Sequence, residues 1–155
     1  MKLNDIEKYG TWTGAKITQW LTTTRVPLRV SCTTDKGPLI VPIWFQYSDG
    51  HIWCCSPQDS VLVKALQKHG EVAFDISTNE VPYQGVRGRG LVTCLPAENA
   101  ETLETLLEKY LGSMDNQLSK WLLSRVDNEA VLQLEVSWLT SWDFSPRMGD
   151  IKPIG

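Results

Sequence analysis

The stretch GPLIVPIWFQYSDGHIWCC, residues 37–55, decides how this chain reads. Pro38 to Phe45 is an apolar run, Asp49-Gly50 is a turn, and Ile52-Trp53-Cys54-Cys55 is a second strand. Asp-Gly between two strand-like runs is a strong hairpin signal, because a two-residue type I′ turn needs positive φ at both central positions. In the first strand, Leu39, Val41, Ile43, Phe45 and Tyr47 share one face, and Ile40, Pro42, Trp44 and Gln46 share the other. Both faces are largely apolar, whereas a strand with one wet face alternates. The second face is therefore expected against a barrel interior, a partner chain or a ligand. Pro42 cannot donate to a ladder, which points to an edge or a bulge.

Downstream, an amphipathic helix is expected from Ser56 to His69, with Ser56 as N-cap and Pro57 at the first helical position. Asp59 or Ser60 is the alternative cap, and Gly70 fits the stop. Strands follow at Val72–Ser77 and Val86–Leu95, the latter weakened by Gly88 and Gly90. Pro96 opens a helix whose Ala100, Leu103, Leu106, Leu107 and Tyr110 share a face, ended by Gly112. A short helix is expected around Leu118–Arg125. In the strand Val131–Trp138, Leu132, Leu134, Val136 and Trp138 alternate with polar residues. Upstream lie a helix at Thr13–Thr22, a strand at Val26–Thr34 and a turn at Asp35–Pro38. About six mostly antiparallel strands with added helices favour a small barrel over a doubly wound sheet.

At 155 residues the chain is expected to be one domain, residues 1–155, with a core that needs no disulfide or metal. Lys+Arg of 15 against Asp+Glu of 18, without a like-charge block, argues against a nucleic-acid partner. No apolar run reaches membrane-spanning length and no signal-peptide layout opens the chain, so no membrane partner and a cytoplasmic location are expected. The four cysteines and two histidines show no metal-ligand spacing, so no metal is expected and the thiols read as reduced.

Three groups of residues carry chemistry. Arg87 and Arg89 share a strand face beside Gly85, Gly88 and Gly90; the pattern alone favours a solvated basic face over the phosphate or carboxylate site that guanidinium forks also suit. Ser56, Ser60 and Lys64 cluster at a helix start, where amides and dipole attract anions, although serine there is also an ordinary cap. Trp44 is the candidate for ring stacking or an interface, whereas Trp53 and Trp138 are expected in the core. Cys54 and Cys55 read as structural thiols. No G-x-S-x-G elbow or nucleophile-base pairing supports a hydrolase.

The ordered motifs G-P-L-I-V-P-I-W-F, D-G-H-I-W, S-V-L-V-K-A-L, G-V-R-G-R-G and S-W-D-F-S-P-R-M resemble the pyridoxamine 5'-phosphate oxidase-like, FMN-binding split-barrel proteins over roughly Thr13 to Met148. The resemblance implies a mainly β fold with added helices, a six-stranded antiparallel split barrel, and a homodimer with FMN at the subunit interface. A deazaflavin coenzyme or haem is the alternative ligand. By position, Pro42, Ile43 and Trp44 would lie along the isoalloxazine ring. Cys54, Cys55 and Ser56 would run beside the ring toward the phosphate, and Ser60 and Lys64 would belong to the phosphate-side helix. Trp142 and Arg147 would reach the cofactor from the C-terminal segment.

The chain departs from the family at Val61 and Leu62, where many members place cations at the phosphate. Lys64, Arg87 or Arg25 can compensate. The C-terminus also lacks the basic ending of true pyridoxamine phosphate oxidases, so that reaction is not expected. The reading is an FMN-dependent oxidoreductase acting on a small molecule, with NAD(P)H as a candidate donor and no catalytic residue identified. The alternatives are a non-catalytic flavin, deazaflavin or haem module, and a cofactor-free dimer of the same fold.

Overall fold

A computed structural model describes residues 7–97 and 100–154, with side chains from residue 10 onward. The strands are β1 (Glu7–Gly10), β2 (Leu28–Thr34), β3 (Gly37–Ile43), β4 (Gln46–Ser48), β5 (His51–Pro57), β6 (Glu71–Ser77), β7 (Gln84–Pro96) and β8 (Glu129–Asp143). The helices are α1 (Gly14–Thr23), α2 (Val61–Lys68), α3 (Glu101–Leu111), α4 (Gln117–Leu123) and the single turn α5 (Ser145–Met148). Among the described residues no helix is long and apolar enough to cross a membrane.

The sheet runs in the order β3-β2-β6-β7-β8-β5-β4. Every pairing along that path is antiparallel. β1 lies off the path, parallel to the far end of β8. β3 and β4 are thus opposite ends of the path, yet only Trp44 and Phe45 join them. Two residues reach across a few ångströms, so the sheet has to curl until its ends meet. This is the expected split barrel, with eight strands among the described residues instead of six. The additions are β1 and three-residue β4, both too short to show a period of two in sequence.

The single strand expected across residues 39–47 breaks at the corner, with a physical cause. The Phe45 N–H donates to Tyr110 Oη (3.4 Å) and its carbonyl accepts from Lys109 Nζ (2.9 Å). Backbone groups that a continuous ladder would consume are taken by α3 instead. Asp49 (φ 50°) and Gly50 (φ 79°) then make the hairpin turn that their chemistry demands.

β5 continues through Ser56, which pairs with Ala130, so Ser56 does not cap α2. Ser60 does: its Oγ accepts from the Val63 N–H at 3.1 Å. Likewise Pro96 ends β7 opposite Ala130, and α3 begins later, at Glu101.

Inside the barrel, Leu28, Val30 and Cys32 meet Phe74, Ile76, Val86, Leu132, Leu134 and Val136, under a lid of Leu62, Val63 and Leu66 from α2. A bulge at Arg89/Gly90 opposite β8 places Ser137 out of register. It reverses the alternation: Val136 and Leu139 face inward and Trp138 faces out. Trp138 is therefore not a core residue; the Arg89 guanidinium sits 4.9 Å over its ring. Trp53 is also half-buried on the outer face, its Nε1–H donating to the Ser48 carbonyl (3.2 Å). The buried tryptophan is Trp12. Gly88 and Gly90 serve packing and not anion access, because they point inward. A Cβ on Gly88 would press on the Phe74 ring, and one on Gly90 would meet the Glu135 carbonyl.

α1 is fastened to the end of β8 through Asp143. Its carboxylate accepts from Ser145 N (3.0 Å), Trp12 Nε1 (3.0 Å) and Lys16 Nζ (3.0 Å). Those bonds, led by Ser145 and then Trp12, hold the carboxyl well below the usual range. A depressed acid stabilises the fold above its unfolded pKa, near 4, and loses that contribution as pH falls. The stability gap between wild type and Asp143→Asn, from urea midpoints, is expected to be full at neutral pH and to shrink below about pH 4.

Candidate functional site

A cleft of about 470 Å³ opens beside the Trp44–Phe45 corner. One wall is Pro42, Ile43 and Trp44, where β3 ends. Cys55 and Pro57 of β5 form its base, Leu103 and Leu106 of α3 its back, and Trp121, Leu122 and Arg125 its roof. Glu129, the first residue of β8, also lines the cleft. The size falls within the range of small-molecule sites, as does a mostly apolar lining with few polar groups.

α3 sets the wall. Trp44 stacks on Tyr110 with centroids 5.1 Å apart and planes 8° from parallel. Lys109 grips the Phe45 carbonyl and lies 4.1 Å over the Phe45 ring. Gly112 (φ 72°) ends α3 in the left-handed conformation and turns the chain toward α4 and the roof. Burial lowers the Lys109 ammonium to about 8 and raises the Tyr110 phenol to about 12. Burial, helped by Glu129, pushes the Cys55 thiol up to about 12, so it is a thiol and not a thiolate at neutral pH.

The residues singled out in sequence fall into three places. Pro42, Ile43, Trp44 and Cys55 meet in the cleft. Cys54 does not: as the strand alternates it points into the core, 3% exposed, and burial raises its thiol further. Ser56 is buried and shares a hydrogen bond with Ser60 (Oγ to Oγ, 3.0 Å) outside that cleft. Lys64 lines a separate groove of about 420 Å³ with Val61, Thr33, Thr34 and Lys68. This groove lies at the turn end of the β2–β3 hairpin and the cleft at its other end, with Ile40, 67% exposed, on β3 between them. Val61 is exposed to solvent in that groove, whereas Leu62 is in the core.

Arg87 and Trp142 lie elsewhere on the sheet, and Arg147 lies on α5. The Arg87 guanidinium is 5.7 Å over the Trp142 ring, and that of Arg147 is 4.5 Å over Phe144. Arg87 is nonetheless on the same outer face as Pro42. The cross-strand row reads Pro42, Arg29, Asp75, Arg87, Thr140. At about 4.8 Å per strand, Pro42 and Arg87 are on the order of 14 Å apart. Arg29 fills the row between them, held by Asp75 Oδ1 (3.4 Å) and Asn79 Oδ1 (2.6 Å). Arg25 is exposed just ahead of β2. Among the described residues no group of three potential metal ligands gathers.

Sequence reasoning missed Lys109, Tyr110, Trp121, Arg125 and Glu129. The apolar face of α3 was legible, but not that its far end would clasp the 44–45 corner. Glu129 gave no signal, because it sits between loop-like residues and the first apolar residue of a strand.

Residues 15–140 match the family model described as pyridoxamine 5'-phosphate oxidase. The chain belongs to that family. Solved structures support its split-barrel fold. A conserved hypothetical protein of Mycobacterium tuberculosis, Rv2991, superposes with a TM-score of 0.71 at 19% identity, covering 94% of this chain and 92% of that one. A structure named F420 reductase gives 0.66 at 14% identity, covering 78% and 94%. A FAD-binding protein of Mesorhizobium loti gives 0.61 at 18% identity, covering 84% and 91%. None of the curated proteins matches this sequence significantly.

The cleft residues of this family member fit a planar ring: a flat aromatic stack, a proline and leucine sides. For a phosphate, the described surface near the start of α2 offers Lys64, the only cation of that helix's first turn, and no second one at Val61.

The Lys109 clasp carries a pH signature. The folded value near 8 lies below the roughly 10.4 of the unfolded chain. Between those values the unfolded state binds more protons, so this group makes stability rise with pH. The stability difference, wild type minus Lys109→Met, is expected to increase from about pH 8 to 10 in denaturant titrations.

Proposed function

We propose that this protein is a homodimeric flavin-dependent oxidoreductase that takes FMN and a small-molecule substrate, with NAD(P)H as the candidate electron donor. The observation that carries the reading is the aromatic-walled cleft at Pro42–Trp44, with the exposed Ile40 on the same strand between it and the separate Lys64 groove. Structural relatives named F420 reductase and FAD-binding protein support a ligand of the flavin class.

FMN, when bound, supplies the electron-carrying ring. Pro42, Ile43 and Trp44 would bear on the ring, and Leu103 and Leu106 would exclude water. Lys64 and the start of α2 would meet the phosphate. A second copy laid on the outer sheet face would cover Ile40 and Pro42, and would bring the Arg87, Trp142 and Arg147 edge of one subunit toward the cleft of the other.

A non-catalytic flavin carrier is the second reading, favoured by Val61 at the phosphate side and by the protonated Cys55. Steady oxidation of NADH or NADPH with a dye acceptor, dependent on bound flavin, removes it.

FMN is expected to be quenched on titration with micromolar protein, and light scattering is expected to give twice the chain mass. Unquenched FMN, or a monomer, overturns the proposal. Val61→Arg is expected to tighten FMN about tenfold or more, from one charged hydrogen bond of about 1.5–3 kcal/mol, and to leave riboflavin binding unchanged. Fluorescence titrations of the two ligands read this directly.

A further inference from the structure

The segment that carries the roof of the cleft, residues 113–126, is bonded mainly to itself. Asn116 caps α4: its Oδ1 accepts from the Ser119 N–H (2.8 Å), and its Nδ2 donates to the Ser113 carbonyl (2.8 Å). The Ser119 hydroxyl donates to the same carbonyl (3.2 Å), and that of Ser124 to the Trp121 carbonyl (2.6 Å). Lys120 pairs with Asp115 (2.6 Å), and the Arg125 guanidinium lies 4.7 Å over the Trp121 ring. Each of these contacts closes within the segment. One influence leaves it: the Arg125 charge acts on the Glu129 carboxyl across the short turn Val126–Asn128.

Packing holds the segment down no better. Among its described residues only Ser119 is fully buried. Met114, Leu118 and Trp121 are exposed, Trp121 at 53% although it lines the cleft. A stretch with few buried apolar groups opens locally at low free energy, well before the whole fold does.

Both ends of the segment are fixed. At its start, the Gly112 N–H donates to the Glu108 carbonyl (2.9 Å), and Gly112 turns the chain at φ 72° in open space, where an added Cβ would meet nothing within 4 Å. At its end, Gln58 grips the chain: its N–H donates to the Asn128 carbonyl (2.8 Å), and its Nε2 to those of Asp127 (3.2 Å) and Glu129 (3.1 Å). A self-contained unit between two anchored turns is the form that lids take, the turns absorbing the backbone change.

We propose that residues 113–126 form a lid that closes over an occupant of the cleft and brings Trp121 and Leu122 down on it. Closure removes ring and leucine surface from water, which favours it, and shuts solvent out from Cys55 and the Pro42–Trp44 wall. This deepens the proposed function by giving its site a gate. It rests on the cleft and not on which flat molecule fills it.

Hydrogen exchange read by mass spectrometry tests the lid on the whole protein, with two probes: FMN, and anilinonaphthalene sulfonate as an apolar fluorophore unrelated to flavins. Without a probe, amides of 113–126 are expected to exchange faster than those of α3. With either probe bound they are expected to slow about tenfold, while those of α1 keep their rates. Gln58→Ala loosens one anchor and is expected to speed exchange in the lid and not in α1. Trp121→Ala alters an exposed side chain, so the fold survives. It is expected to weaken both probes about tenfold, from ring surface left in water, and to abolish the slowing. Lid rates unchanged by a bound probe, slowing that survives Trp121→Ala, or failure of both probes to bind overturns the lid. FMN quenching in the same samples separates the two ideas. Quenching with unchanged lid rates sinks the lid alone. Slowing by the fluorophore without FMN quenching sinks the flavin reading and leaves the lid standing.

Discussion

Joining opposite ends of one sheet through Trp44 and Phe45 is the constraint from which the other features follow. Sequence neighbours β3 and β4 belong to opposite edges, so the sheet cannot stay open. Closure alone would leave the Phe45 amide and carbonyl without ladder partners at a tight corner. Tyr110 and Lys109 take both, which ties the end of α3 to the seam. The same clasp stacks Tyr110 on Trp44 and stands the leucine face of α3 opposite β3. The cleft is the space left between a seam that must close and the helix that closes it.

This geometry also sorts the polar groups. Along β5, Ile52, Cys54 and Ser56 go inward and Trp53, Cys55 and Pro57 outward, so adjacent thiols have separate fates. Lys109 tolerates partial burial because a backbone carbonyl and two ring faces offset part of its lost hydration. Its ammonium accordingly gives up its proton more readily than a free lysine, without becoming neutral at physiological pH.

Much of the barrel was legible because its strongest signals are local. Asp49-Gly50, the β6 alternation Val72, Phe74, Ile76, and the left-handed stop at Gly112 each act within a few residues. What failed depends on partners distant in sequence. Ser56 has good capping chemistry, but Ala130 of β8 holds its backbone in a ladder, leaving the cap to Ser60. Pro96 is a good helix opener that Ala130 also retains, as the end of β7. Trp138 continues a clean alternation on paper, and one bulged residue turns it outward. At the site, the wall at Pro42–Trp44 was readable from its two apolar faces. The charged residues of its lining, Arg125 and Glu129, were not, since they reach it only after α4 has folded back.

The phosphate side shows how the fold limits what substitution can do. Leu62 and Val61 are neighbours in sequence, but α2 points one into the barrel and leaves the other in water. A cation at Leu62 would have to be desolvated within an apolar core, a penalty of several kcal/mol that no phosphate contact of a few kcal/mol would recover. Only the Val61 position is open to charge. The missing cation pair therefore amounts to one absent surface interaction, and Lys64, one turn further along α2, stands on the same solvent side. A ligand held mainly by its ring in the Trp44 cleft can tolerate that loss. One held mainly by its phosphate cannot, so the proposed FMN reading puts selectivity at the seam.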